Sequence, residues 1–360
     1  MTKSIKAVIT ATGSYIPGVI VKNEDFINHE FFERDGQRIN RSNADIIKKF
    51  VSITDIEERR YAAPKQTASE LGFLAAQDAL QSSLIDPESL DYIIVAHNFG
   101  DITHGTNRSD MVPTLASRIK HKLAIQNPDC VAYDLPFGCP GWVQGLIQAN
   151  YYIKAGDAKN VLIIGSETLS RITDPHDRDS MIYADGAGAV ILSALETDEN
   201  VGILSHKTQT HTQNEAWFLR MEGSSKEDYA AYTDIFLKMD GRKVYEYALK
   251  NVPLVMKAAL EKANLNPDDV KKVLVHQANG KMDEAILKRF FKLYDIDDAP
   301  MDIMPMSIAK LGNSSVATVP TLLDLILKTK YEGHEIKKND VVLFTSVGAG
   351  MNINTVVYKF

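Results

Sequence analysis

The feature that most constrains this chain is an internal repeat. Ala79-Leu80, Ile85-Asp86-Pro87-Glu88, Leu90 and Ile93-Ile94-Val95 recur 180 residues later as Ala259-Leu260, Leu265-Asn266-Pro267-Asp268, Val270 and Val273-Leu274-Val275. The same offset lays Asn160 to Ser166 on Asp340 to Ser346 with no gap. One helix, Asx-Pro turn and buried strand can recur through shared composition. Two stretches on one offset point instead to a duplicated unit, and two such units fill the 360 residues. We expect an N-terminal half over 1–195 and a C-terminal half over 196–360.

Each copy reads as helix, turn and strand. Thr67 to Ser83 and Arg242 to Ala263 carry apolar residues at helical spacing, while Tyr92 to Ala96 and Val273 to Val275 are short runs rich in β-branched residues. These runs are continuous, so both faces of each strand are buried. That predicts an α/β fold of duplicated, layered halves whose mixed sheets are covered by helices. In such architectures chemistry gathers beyond the carboxyl ends of strands.

Composition narrows the chemistry. Forty Lys plus Arg against forty-seven Asp plus Glu give a net charge of -7, the wrong sign for a general nucleic-acid binder. The two cysteines and nine histidines show no metal-ligand spacing, so no metal and no cofactor is expected. Few cysteines suit a reducing, cytoplasmic compartment. The opening ten residues hold only a short apolar run, and no stretch of about 18 apolar residues occurs, so neither a leader nor a membrane span is expected.

Val131 to Leu135 reads as a strand and Trp142 to Lys154 as a helix, with Pro136 to Gly141 as the elbow between them. Pro140 suits the first helical position, which puts Cys139 at the helix N-terminus. There the helix dipole and free N–H groups favour a thiolate, and N–H donors are at hand for an oxyanion. A small buried hydrophobe is the commoner fate of a cysteine, and Cys130, which lacks this setting, is read that way. The second half offers partners. His276 directly follows a strand, and Gly312-Asn313-Ser314-Ser315 precedes the apolar helix Val319 to Leu327 in a place analogous to the elbow. A histidine at a strand end can equally be structural, as His97 is read, and an asparagine before a helix can be an N-cap.

Gly138-Cys139-Pro140-Gly141, His276-Gln277-Ala278-Asn279 and Gly312-Asn313-Ser314-Ser315 together resemble the motifs of thiolase-fold condensing enzymes, most closely β-ketoacyl-acyl-carrier-protein synthase III. Thr12 to Pro17, Glu57 to Tyr61, Asp174 to Arg178, Asp185 to Ala189 and Gly348 to Gly350 extend the likeness along the chain. The resemblance implies a thiolase-like fold of duplicated α-β-α-β-α layers and a homodimer, with the sheet edge near Val161 to Ile164 and the cysteine helix close to the interface. It implies Cys139 as nucleophile, His276 and Asn313 as hydrogen-bond donors to the second thioester, and Cys139 and Ala349 N–H groups as the oxyanion hole. The reaction would be a Claisen-type condensation of a Cys-bound acyl group with a malonyl- or β-ketoacyl-thioester.

The chain also departs from the family. Where coenzyme A-primed members carry a Trp and an Arg, Lys49 and Ile53 stand here, with Asp55 in place of a usual Gly. The aromatic that limits acyl length falls near Met111 and Val112, and Val112 would leave room in the acyl pocket. These changes favour a longer acyl donor, carried by an acyl carrier protein, in specialised resorcinol- or polyketide-like lipid synthesis. Fatty-acid initiation from acyl-CoA and malonyl-carrier protein is the alternative, and acyl transfer without condensation is the alternative of another class. Carrier proteins are acidic. Lys281, Lys288 and Lys292 fall within about 40 degrees of one another at about 3.6 residues per turn, opposite Ile286, Phe290 and Leu293, and form the expected docking face.

Overall fold

The computed structural model describes residues 3–227, 229 and 234–360; Met1 and Thr2, which open the segment read for a leader, lie outside them. The first sheet is built from β1 (Ser4–Tyr15), β2 (Tyr92–His97), β3 (Val131–Pro136), β4 (Asn160–Thr168) and β5 (Asp185–Thr197), in the order β1-β5-β4-β2-β3. The second holds β6 (Gly202–Thr210), β7 (Val270–Val275), β8 (Val341–Gly348) and β9 (Asn352–Lys359), in the order β6-β9-β8-β7. Both are mixed: β2 pairs in parallel with β3 and β4, and β7 with β8, while the remaining pairs are antiparallel. The strand orders match one for one except at β3, which carries the elbow and has no counterpart strand in the second sheet among the described residues.

The helices that position the site are α1 (Asn43–Thr54), α2 (Ala68–Gln81), α3 (Gly141–Ala155), α4 (Gly241–Lys262), α5 (Gly280–Lys292) and α6 (Thr318–Leu327). Side chains alternate across a strand, and here both faces are apolar. Ile94, Val161, Ile163, Val190 and Leu192 point to a core shared with α3, α6 and the inner face of the second sheet. Their neighbours Ile93, Val95, Leu162, Ile164 and Ile191 point outward to α2. In the second sheet Leu274, Val342 and Phe344 face the shared core, whereas Val273, Leu343 and Val357 face α4 and α5. Helix, sheet, helix pair, sheet, helix pair is the resulting stack. The continuous apolar runs therefore have a direct cause: along the central strands β2, β4 and β8, residues of either parity meet a helix layer.

The expected interface edge is not where the sequence reading put it. Val161 to Ile164 are fully buried in β4, at the centre of the five-stranded sheet. The open edges are β1 and β3, because β3 closes the parallel side beyond β2, and Val131 on β3 is exposed.

Segment 316–321 of the second half seats on the first sheet at two glycines that face each other across β4 and β5, Gly165 and Gly188. A Cβ on Gly165 would lie 2.3 Å from the Val316 carbonyl oxygen, and one on Gly188 would lie 2.6 Å from the Thr321 nitrogen. Backbone cannot yield as a side chain can. Gly165→Ala is expected to destabilise the protein by about 3 kcal/mol, seen as a lower urea midpoint; an unchanged midpoint would show that the halves part easily at this contact.

Candidate functional site

The site gathers around the elbow from the loops that follow β3, β7 and β8 and from the segment 313–315 ahead of α6. β3 ends at Pro136 and α3 begins at Gly141, so Cys139 stands just outside the helix N-terminus. Pro140 is the N-cap with αR geometry, one position earlier than expected. The loop after β8 lies backbone against backbone on this turn: a Cβ on Gly348 would be 2.6 Å from the Cys139 nitrogen, so the position admits only glycine. This packing sets Ala349 beside the elbow. Neither the Cys139 nor the Ala349 N–H is consumed by a turn or loop hydrogen bond among the described residues.

His276 continues past β7, its N–H donating to the Thr345 carbonyl at 2.8 Å, and its ring is buried. Burial pushes its pKa down to about 4, opposed by a hydrogen bond to the Ser315 backbone. The ring is thus neutral at ordinary pH, and Nδ1 has no protein partner. Asn313 is held on both sides by the chain leading into β5, donating its N–H to the Ile182 carbonyl at 3.0 Å and accepting from the Ala184 N–H at 2.8 Å. Its Oδ1 accepts from the Ser315 N–H at 2.8 Å. That bond fixes the amide orientation and leaves the NH₂ group with no protein acceptor among the described residues.

Ser315 was not singled out from the sequence, yet its Oγ donates to Cys139 Sγ at 3.2 Å. One backbone signal accompanies it, a left-handed φ of 53° at the start of the short helical turn before α6. Cys139 is half-buried. Its thiol does not behave as the helix terminus alone suggests, because loss of hydration pushes the pKa up to about 11. The Ser315 hydroxyl and the residue's own N–H pull the other way, and the nearby Glu167 adds to the rise. At rest the sulfur is therefore protonated.

Cys130 is buried away from this site, and burial raises its thiol pKa too. His97 is satisfied on both sides, Nε2 against Asp134 at 3.0 Å and Nδ1 accepting from the Gly100 N–H at 3.1 Å. Among the described residues no group of three or more His, Cys, Asp or Glu could hold a metal ion, and no helix is long and apolar enough to cross a membrane.

A groove of about 1510 Å³ is lined by none of Cys139, His276, Asn313 and Ser315 themselves but by residues close to them in sequence. Ile182, Ala278 and Asn279 form part of its wall, next in sequence to Tyr183 and two or three residues from His276. Lys49, Phe50 and Ile53 of α1 form another part. Eight Arg and Lys side chains line it against four Asp and Glu. Arg34, Arg220 and Lys243 all share Asp240, and Arg41 and Lys49 have no ion-pair partner among the described residues. These cations come from four separate stretches of chain, so no charge run betrays them.

The expected docking face is less free than its spacing implied. Lys281 pairs with Asp55 at 3.3 Å and Glu284 at 3.5 Å, and Lys292 pairs with Asp297 at 2.5 Å. Lys288 is exposed without an ion-pair partner among the described residues. Asp55 takes the left-handed conformation (φ 61°), the region in which a glycine is strain-free. Leu293, placed on the buried side of α5 by the sequence reading, is 37% exposed, because the helix ends at Lys292 and Leu293 is its C-cap. Met111 and Val112 are also exposed, Val112 at 86%, and neither lines the groove of this chain.

Two family models match the chain, 3-oxoacyl-[acyl-carrier-protein (ACP)] synthase III over residues 133–212 and 3-oxoacyl-[acyl-carrier-protein (ACP)] synthase III C terminal over residues 260–360. β-Ketoacyl-[acyl-carrier-protein] synthase III 1 of Vibrio vulnificus is 32% identical over 353 residues, 98% of this chain and 99% of the relative. The crystal structure of 3-oxoacyl-[acyl-carrier-protein] synthase III from Aquifex aeolicus superposes with a TM-score of 0.80 at 28% identity, over 98% of this chain and 100% of that one. Xanthomonas campestris OleA, solved with lauric acid and lauroyl-CoA, covers both chains fully with a TM-score of 0.75 at 16% identity, a likeness of fold alone.

Proposed function

Because the chain belongs to the 3-oxoacyl-[acyl-carrier-protein] synthase III family of condensing enzymes, we propose that it loads a medium or long acyl group onto Cys139 from an acyl carrier protein and condenses it with a malonyl- or β-ketoacyl-thioester. In loading, Sγ attacks the thioester carbonyl, the carbonyl–sulfur bond to the carrier breaks, and the thiol proton leaves with the carrier's sulfur. The oxyanion between these events sits on the Cys139 and Ala349 N–H groups. In condensation the second thioester becomes an enolate, by loss of carbon dioxide from a malonyl group or of a proton from a β-ketoacyl one. Its oxygen accepts hydrogen bonds from His276 and Asn313. The enolate carbon then attacks the acyl carbon, the Cys139 carbon–sulfur bond breaks, and the departing thiolate takes up a proton, the one released by a β-ketoacyl donor or one from solvent after decarboxylation.

One observation carries this reading. His276 and Asn313 are neutral and buried, and the Asn313 NH₂ group has no protein acceptor among the described residues. Buried polar groups normally find partners, so such a group is reserved for something that arrives. Donors fixed before charge develops need no reorganisation when it does. The basic groove supports an arm that carries phosphate and an acidic carrier. Lys49 and Ile53 on its wall support a carrier-bound donor over coenzyme A, and the exposed Val112 supports a roomy acyl wall lent to the other subunit of a homodimer.

The test is donor preference, read by intact mass without a second substrate. Medium-chain acyl carrier proteins are expected to label the protein at least ~10-fold faster than acetyl-CoA. Preference for acetyl-CoA would return the enzyme to fatty-acid initiation. Labelling without any carbon–carbon product on adding malonyl- or β-ketoacyl-thioesters would make it a plain acyltransferase.

A further inference from the structure

A hydrogen-bonded chain runs back from the sulfur, and no step above uses it. Ser315 Oγ, which donates to Cys139 Sγ at 3.2 Å, itself accepts from Asn98 Nδ2 at 2.9 Å. Asn98 is gripped by Glu167, whose Oε1 accepts from the Asn98 backbone N–H at 2.6 Å and also from Nδ2. Glu167 lies at the end of β4 and is 1% exposed. Asn98 follows β2, and Ser315 precedes α6, so two strand ends of the first half and a pre-helix segment of the second meet behind the nucleophile.

The direction of each bond follows from the first. Oε1 takes two N–H bonds and therefore carries no proton, so Asn98 must turn its NH₂ toward Glu167. The same NH₂ then faces Ser315 Oγ with its other hydrogen. A hydroxyl whose lone pair is taken in this way sends its own proton elsewhere, and the acceptor in reach is Sγ. We propose that Glu167 is a positioning residue for the nucleophile, which through Asn98 holds the Ser315 hydroxyl proton on Cys139 Sγ. This rests on Cys139 being the acyl-accepting thiol. No proton passes along the chain, since an amide link cannot relay one readily; its effect is to keep a donor on the sulfur whenever it bears negative charge, on attack and again when it leaves.

The other titratable groups whose charge is felt at the sulfur are Tyr183 and Glu167, and Asp185 acts in turn on Glu167. An ionised Glu167 would oppose a thiolate, but burial pushes its carboxyl up to about 8, so it orients Asn98 largely as the neutral acid at pH 7. Its proton then belongs on Oε2, a form that glutamine copies closely.

The experiment follows iodoacetamide alkylation of Cys139 against pH by intact mass, with no thioester present. Ser315→Ala should slow alkylation at pH 8 by about tenfold and move its pH midpoint upward. Asn98→Ala and Glu167→Ala should move it the same way, Glu167→Gln should stay within about twofold of wild type, and the Ser315→Ala/Glu167→Ala double variant should be no slower than Ser315→Ala alone. Faster alkylation in Glu167→Ala, as mere removal of a negative charge would give, overturns the proposal, and so do multiplying effects in the double variant. If Glu167→Ala does not fold, the Asn98→Ala/Ser315→Ala pair decides by the same criterion of non-additivity. Because no acyl donor is used, failure of acyl loading would sink the proposed function while leaving this result readable on its own.

Discussion

Cys139→Ala is expected to abolish acyl labelling from every donor and to lower condensation by about 10⁴-fold or more. The substitution removes only Sγ. The Cβ that packs against the loop after β8 stays, and the Gly348 contact with the Cys139 nitrogen is unaltered, so the protein should fold with an unchanged melting temperature. The remaining groups would still bind both thioesters but would have no place to hold the acyl chain between half-reactions. Cys130→Ala is the matched control, since that thiol is buried and should neither accept nor lose label. A label that survives in Cys139→Ala, or vanishes in Cys130→Ala, would refute the assignment of the nucleophile.

The second large effect separates the two half-reactions. His276→Ala and Asn313→Ala should each lower condensation by about 10²–10³-fold while acyl labelling of Cys139 stays within a few-fold, because their donors act on the second thioester. Equal loss of labelling in both would place them in the first half-reaction instead. The neutral state of His276 adds a pH signature. Its folded pKa of about 4 lies below the ordinary 6.5. Between these values the unfolded chain binds a proton that the folded chain refuses, so stability is gained as pH rises through the window and lost as pH falls through it. Condensation should therefore not follow an ordinary histidine titration near 6.5, and its acid limb should coincide with the loss of fold followed by circular dichroism.

Much of this was legible in the sequence because it is periodic or contiguous. The 180-residue offset reported the two sheets, and the continuous apolar strands reported helix layers on both sides. Cys139 and His276 sit in short motifs beside strand ends, and Asn313 in one just ahead of a helix. What escaped was the relation between separate segments. Asn98, Glu167 and Ser315 are unremarkable polar residues in three stretches that only the fold brings within hydrogen-bond reach. The basic groove is likewise scattered over residues 34–49, 178, 220 and 242–243, whereas the lysines of α5, which do follow a helical period, are largely spoken for by nearby acids. The thiol was misjudged in sign for the same kind of reason, since a helix terminus is visible in sequence and the depth of burial is not. The sheet edge was misplaced because Val161 to Ile164 and β3 are both β-rich, and strand order is not written in composition.

The glycine pair on β4 and β5 has a consequence for how the chain finds its correct assembly. In a sheet with one wet face, a slip of one residue is punished by exposing every apolar side chain. Here both faces are greasy, and exchanging Val161 and Ile163 with Leu162 and Ile164 would expose nothing. Polarity cannot proofread such a strand. The notch formed by Gly165 and Gly188 does so by shape, because a slip of about 3.3 Å would put Ile164 or Ser166 where the Val316 carbonyl must rest. A misregistered first half could still collapse, but it would refuse its twin, and Asn313 would never arrive beside Cys139. The same small gauge thus inspects the strand pairing and licenses the reaction centre.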